Sequence, residues 1–198
     1  MYNTTMPLSP CLPGSFYDRP VLEVARQLLG MRLVRQLDGQ RLSGMIVEAE
    51  AYDGEADLAC HARAGRTPRT AVMYGPPGRA YVYFTYGMHW LLNCVTGPEN
   101  YPAAVLLRAI LPQEGLIQIA ARRKGRPQAE WCNGPAKLCQ AMAIDGQLNG
   151  ADLTAPGGEL WIEPGQPIAA ELIHTSPRIG IHNVPDPWRS LPWRFVAG

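Results

Sequence analysis

Apolar residues recur at two different spacings along this 198-residue chain. Leu22, Ala25, Leu28 and Leu29 fall on one side of a 3.6-residue repeat. Asp18 can cap that helix, Pro20 can enter its first turn and Gly30 can end it. Residues 31–37 and 42–52 then read as strands around Asp38-Gly39, a pair suited to positive φ at a hairpin corner. Residues 53–79, rich in Gly, Pro, Arg, Asp and Thr, predict a long loop with some local helix, and loops of that length are usually functional. The apolar ribbon "YVYFTYGMHWLLNCV" follows, with Tyr81, Tyr83 and Thr85 on one face and Val82, Phe84 and Tyr86 on the other. Tyr86 and His89 flank Gly87-Met88 at its tip. A strand over 105–110 precedes a helix from Pro112 to Lys124, which Gly125 stops; Gly134-Pro135 starts another helix that ends near Asp145-Gly146. Two strands ("ELWIEPG", "AAELIHT") and an irregular C-terminal segment complete the chain.

Strand alternation in "GMIVEAEAYDG" sets Ile46, Glu48, Glu50 and Tyr52 on one face, opposite Met45, Val47, Ala49 and Ala51. The small, apolar side reads as core, so the carboxylate side is expected to line a cleft or face solvent. Asp53, Glu55 and Asp57 alternate beyond it, but the sixth and twelfth positions are Leu58 and Ala64, which fails the calcium-loop spacing and leaves a solvated acidic loop. Cys60-His61 has no second ligand pair nearby, so no metal is expected.

The charge is +1, from sixteen arginines and two lysines against 17 acidic residues, and cannot by itself hold a polyanion. Distribution counts for more: Arg63, Arg66, Arg69 and Arg79 form one group, Arg122, Arg123 and Arg126 another. Five cysteines without a C-x-x-C pair argue against a disulfide framework and a zinc ribbon, and point to a reducing compartment. The N-terminus lacks the charged-then-apolar order of a secretory signal, and no apolar run reaches the roughly 18 residues of a membrane span. A non-secreted protein without a membrane anchor is expected, with residues 1–15 as a flexible leader.

An apolar hairpin tip is an aggregation liability unless something receives it, and DNA is such a receiver, because aromatic wedges enter between base steps. Four stretches in order, "IVEAEAY", "YVYFTYGM", "VLLRAILPQEG" and "GPAKLCQAMAI", closely resemble the alkyladenine (3-methyladenine, methylpurine) DNA glycosylase family. The resemblance runs from Phe16 through "PRIGI" near Ile181 and, more weakly, into "PWRF". It implies a single α+β domain over 16–198, with a curved, mostly antiparallel sheet, surrounding helices and a protruding hairpin. It also implies a monofunctional enzyme, monomeric and cofactor-free, acting on double-stranded DNA that contains damaged purines, in the cytoplasm of a bacterium or the nucleus of a eukaryote.

By the same resemblance Glu50 activates water, with Arg108 beside it; Tyr52, His61 and Tyr83 sandwich the flipped base, and Asn93 rejects guanine. Tyr86, with Met88 and His89, fills the hole in the stack; Arg66, Thr67 and Lys137 touch the DNA backbone. His89 stands where some members carry tyrosine. Lys124, Lys137 and the N-terminal amine are the amines available for Schiff-base chemistry, and the resemblance implies a monofunctional enzyme, so water is the expected nucleophile. Two other readings fit the residues alone: a non-catalytic damaged-DNA-binding module, and a carbohydrate hydrolase using Glu48 and Glu50. Same-face neighbours on one strand lie about 6.5–7 Å apart at Cα, on one side of a bound substrate rather than across its scissile bond, which counts against the latter.

Overall fold

The computed structural model describes residues 11–198. Its trunk is β2 (Gln40–Asp53), a strand long enough to pair with three others. Its first half faces β1 (Arg32–Leu37), its second half faces the C-terminal β8 (Arg194–Ala197), and β5 (Ala103–Glu114) runs along the other edge. The open sheet continues through β4 (His89–Thr96) to β3 (Ala80–Thr85) on one side and through β1 to β6 (Leu160–Glu163) on the other. β7 (Ile173–Ser176) adds to β8, and every pairing is antiparallel. The helices are α1 (Gly14–Tyr17), α2 (Val21–Leu28), α3 (Leu116–Arg122) and α4 (Pro135–Met142), giving the expected α+β class.

Alternation divides the strands between two apolar clusters. Ala80, Val82, Leu92, Cys94, Val105 and Leu107 point into the main core with α2 and α4. Tyr81, Val95 and Ala104 point the other way, where Cys60, Ala62, Met73 and Tyr74 from the long 53–79 loop cover them. That loop, with 3₁₀ turns at His61–Ala64 and Ala71–Tyr74, thus builds a small core of its own on the face that carries the tyrosines.

Several local expectations need correction. Asp18 does not cap α2, whose N-cap is Pro20 with no side-chain cap bond and which buries Val21, Val24, Ala25 and Leu28, leaving Leu22 half-buried. Pro112 lies within β5, opposite Gly44, rather than opening a helix. The pairing of β4 with β5 ends at Leu106, so among the described residues Pro112 has β2 as its only strand partner, the edge setting in which a missing N–H is tolerated. α3 therefore begins only after Gly115 (φ 69°), and α4 ends at Met142, capped by Ala143, rather than near Asp145-Gly146. β8, expected to be irregular, completes the sheet beside the carboxylates. Of the expected leader, residues 1–10 lie outside the described residues; Leu12 is buried and its N–H donates to Ile162 O.

Candidate active site

A break in alternation positions the carboxylates. Ile46 pairs with Ile110, but the register slips on both sides of Glu48, and Glu48 opposes Ala109 while Ala49 opposes Leu107. The bulge turns Ile46 into the main core with Ala49 and Ala51, instead of onto the Glu48 side as strict alternation requires. Glu48, Glu50 and Tyr52 keep their common side.

Glu50 does not line a cleft. Its side chain is fully buried, with β5 on one flank, β8 on the other, and the segment after β7 above it. Oε1 accepts from the Ile179 backbone N–H at 2.7 Å and lies 3.2 Å from an Arg108 Nη1; Oε2 accepts from the Tyr52 hydroxyl at 2.9 Å. Those three partners, not Glu50 itself, line a cavity of about 340 Å³. Burial raises the Glu50 pKa above the usual carboxylate value, against the lowering pull of Arg108, Ile179 N–H and Tyr52. Arg108 also donates Nε to Glu48 Oε1 at 2.7 Å, and Arg194 Nε donates to the same oxygen at 2.7 Å. Glu48 is thus a brace for the two arginines.

Aromatic rings form the rest of the cavity. His61 and Tyr83 meet edge to face with centroids 4.5 Å apart, and Tyr81 lies 5.4 Å from Tyr83. Tyr81 also holds its hydroxyl 2.9 Å from His61 Nδ1. Desolvation lowers the His61 pKa to about 4, and Arg69 and Arg63 add to that, so the ring is neutral at physiological pH. Asn93 sits across the ladder from Tyr81 and donates Nδ2–H to its carbonyl at 3.0 Å. Tyr52, His61, Tyr83, Asn93 and Arg108 therefore converge on one cavity, and Tyr86 reaches its rim.

The hairpin projects beyond it. Thr85 pairs with His89, so three residues, Tyr86, Gly87 and Met88, form the loop, one more than the Gly87-Met88 tip expected. Tyr86 is 81% exposed and Met88 67%, and Tyr86 takes a positive φ of 52°. His89 is exposed at the start of β4. The remaining expected contacts lie outside the cavity: Arg66 stacks 5.6 Å over Tyr74, Thr67 bonds Thr70, and Lys137 Nζ donates to Asn133 Oδ1 at 2.8 Å beside Pro135 of the cavity wall.

Three features escaped the sequence. Tyr81 shares Tyr83's face, a signal that alternation already held. The segment Ile179–Ile181, which covers Glu50 and lines the cavity, carries no periodic pattern. Asp57, read as part of a solvated loop, is completely buried and pairs with Arg178; Glu55 accepts from Tyr74, and Asp53 from Tyr101.

The family model for methylpurine-DNA glycosylase matches residues 15–198. The chain belongs to that family. It is accordingly a DNA glycosylase. Relatives named "Putative 3-methyladenine DNA glycosylase" include one from Methanocella arvoryzae, 54% identical over 187 residues (94% of this chain, 92% of the relative). Others come from Carboxydothermus hydrogenoformans, 51% identical over 184 residues (93% of each chain), and Burkholderia cenocepacia, 47% over 192 residues (94% and 91%). No helix among the described residues is long and apolar enough to cross a membrane.

Proposed function

We propose that this glycosylase removes alkylated purines, as the 3-methyladenine in its relatives' names suggests, and deaminated purines as well, by extruding the base into the ring-lined cavity and hydrolysing its N-glycosidic bond with water activated by Glu50. The observation that carries the reading is the connection of a buried, raised-pKa carboxylate to that cavity through Tyr52, Arg108 and Ile179. Extrusion costs a few kcal/mol and base–aromatic stacking returns about 1–3 kcal/mol per base, so the rings offset the flip. A neutral His61 matters here, because a protonated ring would repel a cationic 3- or 7-alkylpurine where Tyr52 and Tyr83 attract it.

The hydrogen bonds also distinguish the two carboxylate oxygens. Oε1 has two donors and Oε2 has one, so Oε2 keeps an unfilled acceptor position, which a water proton would reach past the Tyr52 hydroxyl that lines the cavity. A cationic base leaves neutral and needs no acid, so for alkylated purines water activation and stabilisation of oxocarbenium character are the chain's main tasks, whereas a neutral deaminated purine such as hypoxanthine also needs a backbone N–H at N7 to take up the charge of the leaving base. Arg108 keeps Glu50 orientated, while Tyr86 takes the vacated place in the duplex with Met88 and His89 beside it. Arg66, Thr67 and Lys137 contact the phosphates, and Asn93 crowds the edge where guanine carries its amino group.

The test incubates duplexes bearing one 3-methyladenine, 7-methylguanine, hypoxanthine or ethenoadenine with the enzyme, then cleaves abasic sites with alkali. Base release without strand scission before alkali is expected, and Glu50→Gln should bind the damaged duplex yet release nothing. Undiminished release by that variant would remove Glu50 from the mechanism.

A further inference from the structure

Between Ser176 at the end of β7 and Arg194 at the start of β8 the chain forms neither helix nor strand, yet it supplies the N–H that binds Glu50. What holds this segment in place is unusual. Ile179 is 47% exposed and Gly180 is exposed, so apolar burial does not anchor the stretch over the site. Arg178, one residue before the donor, is the anchor. Nη1 and Nη2 fork onto Asp57 at 2.5 and 2.9 Å, with neither side chain exposed. Nη1 also donates to Ala51 O at 2.8 Å and Nη2 to Trp188 O at 3.2 Å. The guanidinium packs over Tyr52 at 4.7 Å and Trp193 at 5.0 Å. One side chain thus ties together the end of β2, the 53–57 loop, the segment after β7 and the ring that donates to Glu50.

From this arrangement we infer that Arg178 is a positioning residue for the reaction proposed above, setting the Ile179 N–H and the Tyr52 ring against Glu50 through its buried pair with Asp57. A planar fork suits this task and an ammonium does not, since Lys cannot satisfy both carboxylate oxygens and two carbonyls at fixed angles. The groups facing Glu50 define the consequence. Arg108 approaches from β5, Glu48 and Tyr52 from its own strand and Tyr83 from β3, while Arg194 of β8 is engaged by Glu48. Of these groups Arg178 touches Tyr52, so altering it should act on that ring and on the neighbouring Ile179 N–H, a donor that favours the charged carboxylate.

The inference rests on the proposed function, and its test separates the two. Single-turnover release of hypoxanthine from a short duplex is followed across pH for the wild type, Arg178→Lys and Asp57→Asn, beside thermal unfolding and amide hydrogen exchange at residues 177–182. Loosening the donor should shift the acid limb of the rate profile to higher pH in Arg178→Lys, which keeps the charge balance of the pair, and lower the plateau about 10²-fold in both variants, the scale of a 1 Å misplacement. The Ile179 amide should be protected in the wild type despite its exposed side chain, and should exchange at least about tenfold faster in Arg178→Lys. Reduced thermal stability with an unmoved acid limb and plateau would leave Arg178 a purely structural residue and overturn the inference. Should the variants fail to fold, the wild type decides: an Ile179 amide exchanging as fast as that of Gly180 overturns it, and slow exchange sustains it. Absence of base release by the wild type would count against the proposed function, while the exchange measurement would still read the anchor.

Discussion

The Tyr52 hydroxyl donates to Glu50 Oε2 at 2.9 Å, so the ring that walls the cavity is also a hydrogen-bond donor to the carboxylate behind it. Burial holds the Tyr52 pKa well above its ordinary value, which keeps the proton available for donation at any physiological pH. Substrate stacking and carboxylate tuning therefore share one side chain, and the two contributions can be separated by substitution.

Tyr52→Phe keeps the ring face and removes the donor. Because the lost bond favours ionised Glu50, the already raised pKa rises further. The acid limb of base release should move to higher pH, with damaged-duplex binding retained. Tyr52→Ala should in addition weaken binding by about 1–3 kcal/mol through lost stacking. A pH series of single-turnover rates beside gel-shift titrations checks both.

Glu50→Gln should eliminate release without costing stability. A carboxyl whose folded pKa lies above its unfolded value contributes stability below that range and loses it as pH rises through the folded value, so near neutrality the buried charge is a net cost. The amide oxygen can still accept from Ile179 N–H, the Tyr52 hydroxyl can rotate to accept from the amide, and Arg108 retains Glu48. Thermal unfolding at pH 7 should show an equal or higher Tm for the variant, with the difference vanishing on acidification. A clear loss of Tm at pH 7 would mean the carboxylate serves the fold instead.

Much of this site was legible in the chain because strands announce their faces. The tyrosines of β3, Asn93 across from Tyr81, and the Glu50–Tyr52 pair all follow from a two-residue period. Where the period breaks, alternation misplaces a residue: the slip around Glu48 returns Ile46 to the core, and nothing in the residues 46–49 marks a bulge. The Arg178–Asp57 pair spans 121 positions and joins two irregular segments, so neither local spacing nor composition could reveal it. Asp57 looked like a surface acid because its partner lies in another part of the chain.

His61 should make the protein acid-sensitive. Its folded pKa of about 4 lies below the ordinary 6.5, so as pH falls between those values the unfolded chain takes up the proton first and stability drops. At full effect the displacement corresponds to roughly 3 kcal/mol, reduced by the solvent that reaches this half-buried ring. His61→Gln, which can still bond the Tyr81 hydroxyl, should flatten the loss of Tm between pH 6.5 and 4. An unchanged slope in that window would show that His61 titrates normally.

Tyr86 offers the sharpest separation of fold from function. Its 81% exposed ring adds almost nothing to the core, and its φ of 52° places a bulky residue in the left-handed region, a strain of about 1–2 kcal/mol. Tyr86→Gly relieves that strain, while glycine's greater freedom in the unfolded chain removes about 0.5–1 kcal/mol of the gain. At about 2–4 °C per kcal/mol for a chain of this size, Tm should be unchanged or a few degrees higher. Binding to a lesion-containing duplex should fall by about 1–3 kcal/mol, roughly ten- to a hundredfold, because no ring remains to stack in the gap. Tyr86→Trp, which restores a stacking surface, should recover most of it. If Tyr86→Gly binds damaged DNA as tightly as the wild type, the hairpin does not enter the duplex, and its exposed tyrosine requires a different receiver.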